Sequence, residues 1–257
     1  MRIGTSGYSF EDWRGRFYPL RIAKGSMLDF YAREFDTVEI NSTYYRTMHP
    51  RVSAAMAGKV PDGFAFFVKL HAGMTHERSA GDDEWRSFGE MLEPFRERGM
   101  LAGLLAQFPW SFKPAPGAMA YLGEVAERAR ELETPVAVEF RNAHWYEGGA
   151  MAEALGLGLA PVSVDLPDLP GLPPREAVAG GPFGYVRLHG RNADHWWGGG
   201  PLRYDYGYSR EELAGWLTGV KKLLESSGKA FMFFNNCHGG QAVDSARIMK
   251  SLLEEGA

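Results

Sequence analysis

Short apolar runs recur along the chain, separated by segments whose apolar residues fall at helical spacing. The runs Arg2–Thr5, Thr37–Asn41, Ala65–His71, Leu101–Gln107, Pro135–Arg141, Pro161–Asp165, Tyr185–His189 and Ala230–Asn235 are rich in Val, Ile, Phe and Leu. That composition suits strands buried on both faces of a parallel sheet. Between them, Met27–Phe35 carries Leu28, Tyr31 and Phe35 behind a Ser26 cap, and Glu84–Arg98 carries Trp85, Phe88, Met91, Leu92 and Phe95. Ala118–Leu132, Gly148–Leu157 and Gln241–Glu254 predict further helices. Ser209-Arg210-Glu211-Glu212 is a capping box ahead of Leu213, Trp216, Leu217 and Val220. Pro167, Pro170, Pro173 and Pro174 follow the sixth strand and predict a loop in place of a helix. Eight strand-and-helix units predict an α/β fold, a (β/α)8 TIM barrel occupying residues 1–257 as one domain. A doubly wound open sheet is the alternative.

Alternation along the strands sharpens this picture, because successive side chains point to opposite faces. Glu39 and Asn41 oppose Val38 and Ile40; Lys69 and His71 oppose Val68 and Leu70. Glu139 and Arg141 oppose Val138 and Phe140, and Ser163 and Asp165 oppose Val162 and Val164. Arg187 and His189 oppose Val186 and Leu188; Asn235 shares its parity with Phe231 and Phe233. In each strand the polar set falls late. All six sets are therefore expected to point inward and to line a polar chamber at the C-terminal mouth, where barrel active sites lie. Burying so many charges for stability alone is costly.

Composition excludes several classes. With 45% hydrophobic and 23% charged residues the chain has the balance of a globular protein. No apolar run approaches the roughly 20 residues of a membrane span. The N-terminus lacks a charged-then-apolar leader and Cys237 is the single cysteine, so a cytoplasmic protein without disulfides is expected. The net charge of −4 argues against a protein that coats nucleic acid.

The chain resembles the YecE-like family, domain of unknown function 72. The matching stretches are Ile3–Pro19, Phe35–Arg46, Lys69 with Thr75-His76, Gln107–Phe112, Val138–Trp145, Val164–Pro167, Tyr185–Arg191, Arg203–Ser209 and Phe233–Ala246. They run through essentially the whole sequence in order. The resemblance implies a TIM barrel and brings no reaction with it. Asn142-Ala143-His144 stands where relatives more often have His-x-Ser, which argues against an essential role for His144.

Acid–base residues at the mouth point to a small-molecule enzyme, a hydrolase, lyase or isomerase acting on an anionic or polyhydroxylated substrate. Glu39, Lys69, Glu139, Asp165 and His189 are the candidate catalytic residues. Glu39 and Glu139, roughly across the barrel, suit a general acid and base. Lys69 suits phosphate binding, carbonyl polarisation, a Schiff base or a simple counter-ion role. His71 and His189 are expected to titrate near neutrality. Arg141, Arg187 and Arg191 would grip an anionic substrate, a phosphate or carboxylate, or else pair with neighbouring carboxylates. Further candidate binding residues are Asn41, Tyr44, His71, His76, Gln107, Trp145, Tyr206, Asn235 and Asn236, with Gly239 and Gly240 as a phosphate cradle at a helix start. No cofactor is expected; a divalent metal, if used, would take Glu139, Asp165 and His189. Trp13, Trp110, Trp145, Trp196 and Trp197 fall after strand ends, Tyr8, Tyr44, Tyr45, Tyr204, Tyr206 and Tyr208 are further mouth-side candidates for stacking on a ring, and 192–209 is long enough to form a lid. The competing readings are a nucleic-acid-binding or metal-dependent phosphodiesterase barrel, and a non-catalytic ligand-binding barrel.

Overall fold

The computed structural model describes residues 1–256. Eight parallel strands form a nearly closed barrel: β1 (Arg2–Thr5), β2 (Thr37–Ile40), β3 (Ala65–Lys69), β4 (Leu101–Gln107), β5 (Val136–Glu139), β6 (Ala160–Asp165), β7 (Gly184–Leu188) and β8 (Ala230–Phe234). The outer helices are α1 (Met27–Tyr31), α2 (Pro50–Ala57), α3 (Ala72–Thr75), α4 (Asp82–Glu97), α5 (Pro116–Glu131), α6 (Ala150–Gly156), α7 (Arg210–Ala214), α8 (Leu217–Ser227) and α9 (Gln241–Glu255). The sequence pattern missed α2 and α3, which are short. The capping box holds: Ser209 N donates to Glu212 Oε2 and Glu212 N to Ser209 Oγ. No helix lies between β6 and β7, as the prolines predict. Among the described residues, no helix is long and apolar enough to cross a membrane.

The barrel closes between β1 and β2 without a regular ladder. A single bridge joins Ser6 to Glu39, with Gly7 N donating to Glu39 O at 2.8 Å. Below it the Tyr31 hydroxyl fills the seam, accepting from Thr5 N at 2.9 Å and donating to Thr37 O at 3.0 Å. It takes the place of a ladder rung and satisfies two buried backbone groups. Gly4 permits the close approach, since a Cβ there would lie 2.2 Å from Thr37 O.

Inside, the barrel has two layers. The lower one is aromatic: the Phe67 ring packs against Phe183, Tyr185, Phe231 and Phe233 at centroid distances of 4.7–5.6 Å. The upper layer is polar and carries Glu39, Lys69, Gln107, Glu139 and Arg187.

The expected parity holds for β2, β3, β5, β7 and β8 and fails for β6. Neighbouring strands in register present paired residues to one face. Val164 pairs with the inward Arg187, and Asp165 with the outward Leu188. Val162 and Val164 therefore fill the barrel, while Ser163 and Asp165 face outward. No helix follows β6, and the loop in its place supplies a polar partner: Ser163 Oγ accepts from Val178 N.

Candidate functional site

The polar layer is organised around one fully buried guanidinium. Arg187, on β7, donates through Nη2 to Glu39 Oε1 at 2.7 Å and through Nη1 to Glu139 Oε2 at 2.5 Å. The Tyr185 hydroxyl donates to the other Glu39 oxygen at 2.6 Å. Arg141 Nε pairs with Glu139 Oε1. Burial alone would raise the Glu139 carboxyl, but Arg141, Arg187 and His189 hold it well below the usual carboxylate range. Two carboxylates and two guanidiniums thus neutralise one another, with each carboxylate oxygen engaged.

His189 stands beside this cluster, fully buried. Its Nδ1 lies 2.9 Å from the Asn235 amide nitrogen and 3.4 Å from Arg141 Nη2, both donors. Nδ1 is therefore assigned as the acceptor, which places the ring proton on Nε2, 3.4 Å from Glu139 Oε1. Burial, then Arg141, push the imidazole down to about 3. His189 is neutral near pH 7, which corrects the expectation that it titrates there.

Above the cluster opens a cavity of about 530 Å³ at the C-terminal mouth. Its polar lining includes Asn41, Lys69, His76, Gln107, Arg141, Arg187, Arg203 and Asn235. Its aromatic lining is Phe10, Tyr44, Tyr45, Trp110, Trp196, Trp197 and Tyr204. Tyr45 (81% exposed), Trp197 (55%) and Trp110 (40%) form an open rim, whereas Trp196 is buried as a wall. The Arg141 and Arg203 guanidiniums each lie within 6 Å of the Trp196 ring centre. Among the described residues the lining holds four cationic side chains and no carboxylate.

Two of these cations, Arg203 and Lys69, pair with no carboxylate among the described residues; Lys69 is the one at the cavity floor. Its Nζ donates to Gln107 Oε1 at 2.8 Å and lies 4.4 Å from the centre of the Tyr44 ring. Gln107 is locked in that orientation because its Nε2 donates to Phe108 O at 2.7 Å. Burial, then Arg187, bring the lysine down to about 7, against a smaller opposing pull from Glu139. His76, packed edge-on against Tyr44, is lowered to about 4 by burial and by Lys69.

A family model described as "Protein of unknown function DUF72" matches residues 2–257. The chain belongs to this family. It is 28% identical to UPF0759 protein YunF of Bacillus subtilis, covering 98% of this chain and 94% of that protein. Among solved structures, a DUF72 family protein from Thermotoga maritima superposes with a TM-score of 0.88 at 36% identity, covering 98% of both chains. A DUF72 family protein from Enterococcus faecalis gives 0.88 at 26% identity, covering 98% of this chain and 95% of that one.

In this DUF72 barrel several predicted site residues lie away from the cavity. Asp165 faces the outer layer, where Arg191 grips both its oxygens at 2.7–2.8 Å and Tyr208 and Trp216 donate to it. Arg191 is thereby committed to Asp165 and Glu212 instead of to a substrate. The set Glu139, Asp165 and His189 is not brought together, because β6 presents Asp165 outward. Tyr206 donates to Glu212, and Asn236 is buried between Tyr206 O and Ser245. His71 caps α3 by accepting from Gly73 N. Trp145 is buried, stacked on Phe140 with centroids 4.0 Å apart. The Gly239-Gly240 turn already holds an anion of the chain: Gly239 N donates to Asp12 Oδ2 at 2.7 Å. Cys237 lines the cavity, but burial raises its thiol and keeps it protonated. Sequence reasoning did not single out Ser6, Phe10 or Arg203. Arg203 could have been found as the basic residue of the 192–209 segment beside its aromatics.

Proposed function

We propose that this barrel is a small-molecule enzyme whose substrate is anionic and carries a flat or ring-shaped portion. The observation that carries this reading is the cavity lining, which holds Lys69 and Arg203 without carboxylate partners, Arg141 and Arg187 paired to the floor, seven aromatic rings and no carboxylate. Arg141 and Arg203 flank Trp196, so a phosphate or carboxylate between them would leave the adjoining part of the substrate on an aromatic face. Lys69 is the acid–base group. A lysine near 7 has comparable ammonium and amine populations at neutral pH, so it can both give and take a proton. Glu39 and Glu139 act as fixed counter-charges that hold Arg187 and Arg141, and His189 supports Arg141 as a neutral acceptor. The proposed setting is a reducing, cytoplasmic one.

Binding of an anion panel followed by calorimetry tests this reading. Sugar phosphates, keto acids and nucleotides should bind with an affinity that falls as salt rises, and Lys69→Met and Arg203→Ala should each weaken binding about tenfold or more. Equal binding of neutral analogues, unaffected by either substitution, would sink the proposal. Tighter binding of an oligonucleotide than of any small anion would move the function to nucleic-acid recognition.

A further inference from the structure

The surroundings of Lys69 suit more than proton transfer. Its partners, the Gln107 amide oxygen and the Tyr44 ring, carry no formal charge. The two carboxylates of the floor are committed elsewhere, Glu39 to Arg187 and Tyr185, Glu139 to Arg141 and Arg187. The side chain rises from the C-terminal end of β3 at the cavity floor, so an incoming ligand meets the amine from above. A neutral amine in this position donates one N–H to Gln107, and its lone pair stays free for a ligand. A lysine kept as a counter-ion would be expected to face a carboxylate; this one faces a neutral amide and shares its floor with two guanidiniums.

We propose that Lys69 is a Schiff-base lysine, whose Nζ condenses with an aldehyde or ketone that carries a carboxylate or phosphate held by Arg141 and Arg203. This rests on the anionic-substrate reading above and adds a covalent step to it. The nitrogen lone pair forms a bond to the carbonyl carbon while the π pair moves to oxygen. A proton passes from nitrogen to that oxygen, giving a neutral carbinolamine. The oxygen takes one further proton from solvent and leaves as water, and the nitrogen lone pair closes the C=N bond. The product is a protonated imine with one N–H; the step consumes one proton and releases one water. The substrate's own anionic group offsets the cation so formed. Desolvation supplies the amine: burial lowers the lysine, so a substantial neutral fraction exists near pH 7.

The test is borohydride trapping on the full chain. Pyruvate, glyoxylate and dihydroxyacetone phosphate serve as probes, each with and without sodium borohydride, followed by intact mass and peptide mapping. The expected result is one reduced adduct per chain on the peptide bearing Lys69. It should vanish in Lys69→Met and in Lys69→Arg, and form about tenfold more slowly in Arg203→Ala. Lys69→Arg should still bind inorganic phosphate, since it keeps the charge and loses the nucleophile. If no probe gives an adduct while phosphate binds and Lys69→Met weakens that binding, the imine is overturned and the anionic pocket stands. Adducts spread over other lysines and persisting in Lys69→Met overturn it equally. Absence of both adduct and anion binding removes the pocket reading as well.

Discussion

At Arg187 a single guanidinium draws together carboxylates from β2 and β5, and its own charge is spent in doing so. Removing it would leave two like charges buried with one remaining guanidinium. Arg187→Met is therefore expected to destabilise the fold by about 3–5 kcal/mol, read as a fall in the denaturation midpoint. A change within experimental error would mean that the cluster is solvated. Lys69 gives the opposite expectation. Its folded value of about 7 lies below the ordinary 10.5, so between those values the unfolded chain binds more protons. Its contribution to stability thus rises with pH through that window and is least favourable below about 7. The facing groups are Glu39 on β2, Tyr44, His76, Gln107 on β4, Glu139 and Arg141 at β5, and Arg187 on β7. Lys69→Met should raise the melting temperature most at and below neutrality, with the gain fading in alkali. A gain independent of pH would contradict the depressed lysine. Most of this cluster was legible as alternation: Glu39, Lys69, Glu139 and Arg187 share the inward parity of their strands. Their pairing was not, because strand periodicity gives a side chain's face and not its partner.

At the scale of elements, the seam between β1 and β2 is held by the bridge at Ser6 and by the Tyr31 hydroxyl, where regular ladder rungs are missing. Tyr31→Phe strands Thr5 N and Thr37 O without their partner and should cost about 1–3 kcal/mol. Hydrogen exchange should then accelerate at Thr5 before it does in the β6–β8 ladders; uniform exchange would argue against a weak seam. The helices and strands around the seam were readable from apolar spacing. The role of Tyr31 was not, since the same spacing describes a tyrosine that merely packs. The reversal of β6 has a similar origin. Its Ser163 and Asp165 look like mouth residues until the missing helix is considered, because a polar outer face is tolerable only where loop and helix-cap groups replace a helix's apolar stripe. The proline run announced that gap, and joining the two observations would have turned Asp165 outward.

For the whole molecule, the net charge of −4 and the cationic cavity describe different surfaces. The acidic excess lies outside the lining, and the aromatic plug beneath closes the barrel's lower half. The anion affinity proposed for the mouth therefore rests on the local field of its lining, above all Lys69 and Arg203, which have no carboxylate partner, and not on the overall charge. The family assignment and the close superposition on two DUF72 structures fix the fold. The most direct measurement is an NMR titration of Lys69 in protein labelled with 13C-lysine, followed at Cε with and without a bound anion. The midpoint should lie near 7 in the free protein and move upward when the anion is present, because a bound negative charge favours the ammonium. A midpoint near 10.5 that does not respond to any anion would contradict the account.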